Sequence, residues 1–138
     1  MFTAKAFAAF ALFAASANAV RLGWDSIYDN AGESLDSVAC SDGENGLENR
    51  GYTTFGSLPT FPYIGAADSI DTWNSENCGN CYQLTYKSKS LYMIAIDVAG
   101  DGYNLSQQGM DYLTNGNAEE YGEVQVTAKK VAASKCKL

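Results

Sequence analysis

Residues 81–97 read CYQLTYKSKSLYMIAID, and this stretch decides the fold class. Tyr82, Leu84 and Tyr86 alternate with Gln83, Thr85 and Lys87, the period of two of a half-buried strand. Lys87-Ser88-Lys89-Ser90 turns the chain into Leu91–Asp97, a run rich in isoleucine and tyrosine, so the segment predicts a β-hairpin. In its second arm Ile94 and Ile96 occupy one face, and Leu91, Met93, Ala95 and Asp97 the other. A strand apolar on both faces is covered on both sides and belongs to a barrel or sandwich.

Working outward, Glu123–Val131 repeats the alternation, with Val124, Val126 and Ala128 against Gln125, Thr127 and Lys129. Earlier strands are expected at Val20–Ile27 and Tyr52–Phe55. Two short helices are expected in the connections. Asp68 would cap Ser69–Asn74, and Asn104 or Ser106 would cap Gln107–Leu113, which stops at Asn115-Gly116. Glycine-containing turns recur at short intervals, as in Ser41-Asp42-Gly43 and Ala99-Gly100-Asp101-Gly102. No repeat, linker or low-complexity tract interrupts the pattern. The expected fold is mainly β: a closed, mostly antiparallel small barrel with short helices in its connections.

The chain has 138 residues, 9 Lys+Arg against 16 Asp+Glu, and no histidine. Without histidine there is no Ser-His-Asp or Cys-His catalysis and no imidazole ligand for a metal. A net charge of −7 argues against a nucleic-acid partner. No cofactor is implied. Residues 1–19, MFTAKAFAAFALFAASANA, carry one Lys, an apolar run over 6–15 and an A-x-A site at 17–19, the pattern of a secretory signal peptide. The run is far short of the roughly 20 residues of a spanning helix, and no later stretch suits a membrane. Residues 20–138 form the expected domain, whose charge of 8 − 16 = −8 follows from losing Lys5 and no acid. That domain keeps nine tyrosines, two tryptophans and two phenylalanines, a set suited to a small core with wet edges.

Cys40, Cys78, Cys81 and Cys136 all lie in residues 20–138. An even number in a secreted domain reads as two disulfides, with three connectivities open. Pairing the inner two outward would tether an N-terminal loop and the C-terminus to one point. Cys78-Gly79-Asn80-Cys81 is also a C-x-x-C, open to redox or metal readings, although a zinc site lacks a second closely spaced pair.

The segments Tyr28-Asp29-Asn30, Ser37-Val38-Ala39-Cys40-Ser41-Asp42-Gly43, Gly51-Tyr52-Thr53-Thr54-Phe55-Gly56, Trp73-Asn74-Ser75-Glu76-Asn77-Cys78-Gly79-Asn80-Cys81-Tyr82, Ala95-Ile96-Asp97 and Leu113-Thr114-Asn115-Gly116 together resemble the cerato-platanins, small secreted fungal proteins. The resemblance covers essentially all of residues 20–138 and includes every cysteine. It implies a six-stranded double-psi β-barrel and the bridges Cys40–Cys78 and Cys81–Cys136. It also implies binding to chitin-type oligomers of N-acetylglucosamine in the cell wall, an expansin-like loosening of polysaccharide, and recognition by a plant receptor as a defence elicitor. Wall association and self-assembly at air–water surfaces are further implications. Localisation is therefore expected to be extracellular and at the cell wall.

Hydrolysis of a sugar polymer needs two placed carboxylates. Asp97 ends the buried arm of the hairpin and opens a glycine-rich loop, where it would face a ligand or cap a turn. The resemblance associates this Asp with action on polysaccharide. Expansins and related inverting endoglucanases carry His-Phe-Asp before a small helix, and their acid comes from that Asp. Here Gly102-Tyr103-Asn104-Leu105-Ser106 occupies what looks like the same place. An amide cannot serve as a general acid, but it can hydrogen-bond a sugar hydroxyl or acetamide. The groove is thus expected to bind and not cut, with no catalytic residue. Tyr103, Tyr92, Tyr82 and Trp24 are the candidate stacking rings, each with core packing as its commoner role. Tyr103, in the loop beside Asn104, is the best placed for exposure, Trp24 and Asp25 are expected as a far wall, and Trp73 as core. A weak or degenerate glycoside hydrolase using Asp25 and Asp97 is the alternative. Asn104-Leu105-Ser106 is also the chain's one Asn-x-Ser/Thr sequon, and a glycan there would block the groove. Asn104 is expected to stay unmodified because a buried or capping Asn is a poor acceptor on the folded domain.

Overall fold

The computed structural model describes residues 18–138; the expected signal peptide lies almost entirely outside them. Six strands, β1 (Ala19–Trp24), β2 (Ile64–Ala67), β3 (Cys81–Tyr86), β4 (Lys89–Val98), β5 (Tyr103–Leu105) and β6 (Val124–Val131), close into a barrel in the order β1-β5-β2-β4-β3-β6. Four of the six pairings are antiparallel; β1–β5 and β2–β4 are parallel. This is the six-stranded barrel that the resemblance implies.

The β3–β4 hairpin forms as its alternation requires, from Tyr86↔Lys89 to Cys81↔Ile94. Its turn is tighter than expected, with Lys87 in the left-handed region at φ 53°. Residues 93–96 are all buried, so β4 is covered on both faces. Val126 is buried on β6, with Val124 and Ala128 packed at its margin.

The N-terminal expectations need correction. β1 stops at Trp24 and passes into a 3-10 turn over Ser26–Asp29. Tyr52–Phe55 is not a strand: Thr54 makes an isolated bridge to Ser34, and Phe55 enters a 3-10 turn. Ser69–Asn74 is not a helix but a series of turns. Asp68 caps nothing there; its Oδ2 accepts from the Gly102 amide at 3.1 Å. Trp73 is accordingly not core. It is 53% exposed, and its indole N–H donates to Asp42 at 2.7 Å.

Helix α1 (Gln107–Thr114) takes Ser106 as its N-cap, with the hydroxyl accepting from Gly109 N, and ends on Asn115 at φ 58°. Asp29 adds a second cap, its carboxylate accepting from Gln107 N and Gln108 N at 2.8 and 2.9 Å. A further short helix, α2 (Ala118–Tyr121), follows. The disulfides are Cys40–Cys78 and Cys81–Cys136, with Cα separations of 5.4 and 5.8 Å. They tie the loops over one end of the barrel and the C-terminal turn to the two ends of Cys78–Cys81. Two closed bridges and no free cysteine fit an oxidising compartment, and the redox and metal readings of the C-x-x-C fall away.

Candidate functional site

The register of three strands brings Asp97 and Asn104 into one row. Asp97 of β4 sits beside Ala66 of β2, Ala66 beside Asn104 of β5, and Asn104 beside Gly23 of β1. Side chains in one cross-strand row share a face. A Cβ at Gly23 would run into the Arg21 guanidinium and the Asn104 amide, so both groups lie over that glycine on the outer face. Two interstrand spacings, about 10 Å, separate the Asp97 and Asn104 backbones.

Both polar groups are held from behind. Asp97 accepts from the Tyr28 hydroxyl at 2.9 Å, from Ala39 N at 3.2 Å and from its neighbour Val98 N at 2.9 Å. Asn104 offers its carbonyl oxygen to Arg21 Nη2 at 3.0 Å, which leaves its NH2 group for a ligand. Arg21 in turn is fixed by Glu123 at 3.0 Å, the one ion pair among the described residues, and by the Asp101 carbonyl. Tyr28 is buried against Phe55, with ring centroids 6.1 Å apart. Burial first, then the charge of Asp97 and its hydrogen bond, then Asp25, push the Tyr28 phenol well above its ordinary value.

The other expected site residues fall elsewhere. Tyr103 lies in a strand, not a loop, and alternation turns it away from the face that Asn104 occupies. It is 7% exposed and meets Tyr82 edge-on at 5.2 Å, so it offers no stacking surface. Desolvation, then Tyr82 and Asp68, raise its pKa. Trp24 likewise alternates with Gly23; its indole N–H donates to the Ala118 carbonyl at 2.8 Å, which turns the ring toward α2. Asp25 is exposed and caps the turn that follows it, accepting from Ile27 N at 3.0 Å. It joins the site through Tyr28, whose phenol feels its charge. Asn104 is not a helix cap, since Ser106 fills that role. The sequon runs from β5 into the cap of α1 with Leu105 and Ser106 buried, and the Ser106 hydroxyl is committed to Pro62 O and Gly109 N.

Sequence reasoning missed Arg21 and Tyr28 as site residues. Tyr28 stood in a segment that carried the resemblance, but nothing tied it to Asp97, 69 positions away. Arg21 had no signal, because its partner Asn104 is brought near by a parallel pairing of distant strands.

The cerato-platanin family profile matches residues 20–138, which take in both bridges and all of the barrel but Ala19. The chain belongs to the cerato-platanin family. A heat-stable 19 kDa antigen of Coccidioides immitis is 45% identical over 122 residues, which cover 88% of this chain and 84% of that one. The crystal structure of cerato-platanin 3 from M. perniciosa superposes with a TM-score of 0.85 at 50% identity, covering 88% of this chain and all of that one. The solution structure of the fungal elicitor cerato-platanin gives a TM-score of 0.77 at 34% identity, over 85% of this chain and 96% of that one. This cerato-platanin is thus similar in sequence to a protein described as an antigen and shares its fold with one described as an elicitor.

Proposed function

We propose that this cerato-platanin is a secreted, non-catalytic binder of cell-wall oligosaccharide, with chitin-type N-acetylglucosamine oligomers as ligand and the Asp97–Asn104 face as the site. The observation that carries it is the immobilisation of the two groups. A carboxylate held by three donors is a fixed acceptor, and an amide anchored by Arg21 is a fixed donor. A fixed acceptor and a fixed donor carried on strands about 10 Å apart suit the hydroxyls and acetamides of neutral sugars. Hydrolysis asks for more: a protonated acid opposite a base or nucleophile. Asn104 cannot be that acid, and Asp25 is occupied as a turn cap. Engagement without cleavage is the chemistry expected of an expansin-like loosening of wall polymers. Exposure at the wall also fits recognition by a plant receptor, in line with the relative described as a fungal elicitor.

The test is a titration of the mature chain with N-acetylglucosamine tetramer, followed by amide NMR shifts. Shifts should centre on Asp97, Asn104 and Arg21, and should weaken in Asn104→Ala and in the isosteric Asp97→Asn. Shifts confined to other faces overturn the site. Reducing ends accumulating from chitin or cellulose over days, and abolished in Asp97→Asn, would establish the glycoside hydrolase instead.

A further inference from the structure

On another part of the surface, a groove of about 420 Å³ opens between the start of β4, helix α1 and the C-terminal turn. Its size lies within the range of small-ligand sites, about 300–1,000 Å³. Its aromatic walls are Tyr63, Tyr92 and Tyr112, with Leu91 beneath and Lys135 and Lys137 at the rim. Tyr63 and Tyr112 stand 5.9 Å apart at 38°, and Tyr112 is 43% exposed. Among the described residues, none of the three phenol hydroxyls has a protein hydrogen-bond partner, in contrast to those of Tyr28 and Tyr82. Each ring keeps a free polar tip and is at least partly exposed.

The charge of the groove runs against that of the molecule. The domain carries 16 acids, yet every residue lining the groove is neutral or cationic. Four of the eight cations of residues 20–138 fall within 129–138. Among the described residues neither Lys135 nor Lys137 has an ion-pair partner. A third cation, Lys89, lies 4.9 Å over the Tyr112 ring and donates to the Asn115 side chain, which holds that ring in place. The terminal lysines are not on a loose tail. Lys135 lies within the Ala133–Cys136 turn and Lys137 closes it, and Cys136 pins that turn to β3 through its bridge to Cys81.

We propose that this groove is a second saccharide site, one that takes a carboxylated oligosaccharide of the uronic-acid type. The sugar's C–H face would stack on tyrosine, its hydroxyls would meet the free phenols, and its carboxylates would meet Lys135 and Lys137. A neutral chitin-type oligomer satisfies the rings but leaves the lysines unused, so the groove distinguishes acidic from neutral polymer. Its ligand differs from that of the Asp97–Asn104 face, and either site can fail without the other.

The test uses the full mature chain and a galacturonic-acid tetramer, with the methyl-esterified tetramer as the uncharged comparison. The acid form should shift the ring protons of Tyr63, Tyr92 and Tyr112, and the ester should bind roughly tenfold more weakly. Lys135→Glu with Lys137→Glu should weaken the acid form by a similar factor, as should raising salt. The pair is exposed, and an unchanged circular dichroism spectrum and thermal midpoint would show that the variant is folded. Tyr112→Ala should weaken acid and ester alike. No shift with the acid form, equal affinity for acid and ester, or shifts centred on Asp97 and Asn104 would each overturn the proposal.

Discussion

Tyr28 joins a buried ring to the candidate site, so its removal should be read twice. At neutral pH, Tyr28→Phe deletes a hydrogen bond to a carboxylate and should cost about 1.5–3 kcal/mol in denaturant unfolding. The pH dependence follows from the raised phenol pKa. Below about pH 10 the folded and unfolded chains both keep the proton, and the contribution is fully present. Above it the unfolded chain ionises first, and stability falls by about 1.4 kcal/mol per pH unit until the folded value is reached. Tyr103 is raised in the same sense, so the wild-type slope above pH 10 should exceed that of Tyr28→Phe by about one proton. Urea midpoints between pH 8 and 11.5 measure this, and identical slopes would refute it. Asn104→Asp separates binding from catalysis at the same scale. It puts a carboxyl where an amide now stands, but Arg21, 3.0 Å from the present amide oxygen, would hold the new carboxyl ionised. A general acid needs the opposite shift. No reducing ends should accumulate, and a sustained yield from the variant would show that the acid was the one missing part.

The strands differ in how openly they are written, and β2 and β5 are the hard cases. β2 is Ile64-Gly65-Ala66-Ala67, buried at every position, and β5 has three residues. Short runs with glycine and alanine carry no period of two, and β2 pairs with β4 and β5 rather than with a sequence neighbour. Gly65 explains why the strand looks so weak. A Cβ there would overlap the Asn104 carbonyl, because β2 and β5 approach too closely for any side chain. Gly65→Ala should therefore cost roughly 1–3 kcal/mol by overpacking, with backbone and not a side chain obliged to move. It should also displace Asn104 and weaken oligomer binding. Gly32→Ala, where the nearest atom is 3.7 Å away, is the control and should be near neutral by thermal unfolding. By contrast, the β3–β4 hairpin and α1 were legible, since each has enough residues to show its period or its caps. Trp73 was misplaced for the same reason as the helix expected around it: Asp68 offers a cap, but Ser69–Asn74 has only Ile70 and Trp73 as large apolar residues, and turns held by Asn77 and Asp42 prevail. Asp97 and Asn104 were legible as residue types. Their common row was not, because it depends on the register of β2, the strand least visible in the sequence.

At the scale of the whole molecule, the two bridges divide the surface between the two proposed sites. Cys40 lies beside Ala39, whose amide holds Asp97, and Cys40 N donates to the Ile96 carbonyl at 3.0 Å. The Cys40–Cys78 bridge therefore fixes the loop that backs the neutral-sugar face. Cys81–Cys136 fixes the turn that carries Lys135 and Lys137. Their loops span 38 and 55 residues, and chain-entropy arguments give about 4 kcal/mol for each. Replacing either pair by serine should thus lower stability by similar amounts, roughly 2–4 kcal/mol in urea, while the losses of binding should differ. Cys40→Ser with Cys78→Ser should weaken N-acetylglucosamine tetramer and spare the galacturonic-acid tetramer. Cys81→Ser with Cys136→Ser should do the reverse, because the lysines lose their anchor while the β1–β5–β2–β4 face keeps its pairing. Both titrations belong at a temperature where circular dichroism shows the variants folded. If each variant lost both ligands in proportion to its stability, the bridges would serve the fold as a whole, and the division of the surface into two separately supported sites would be wrong.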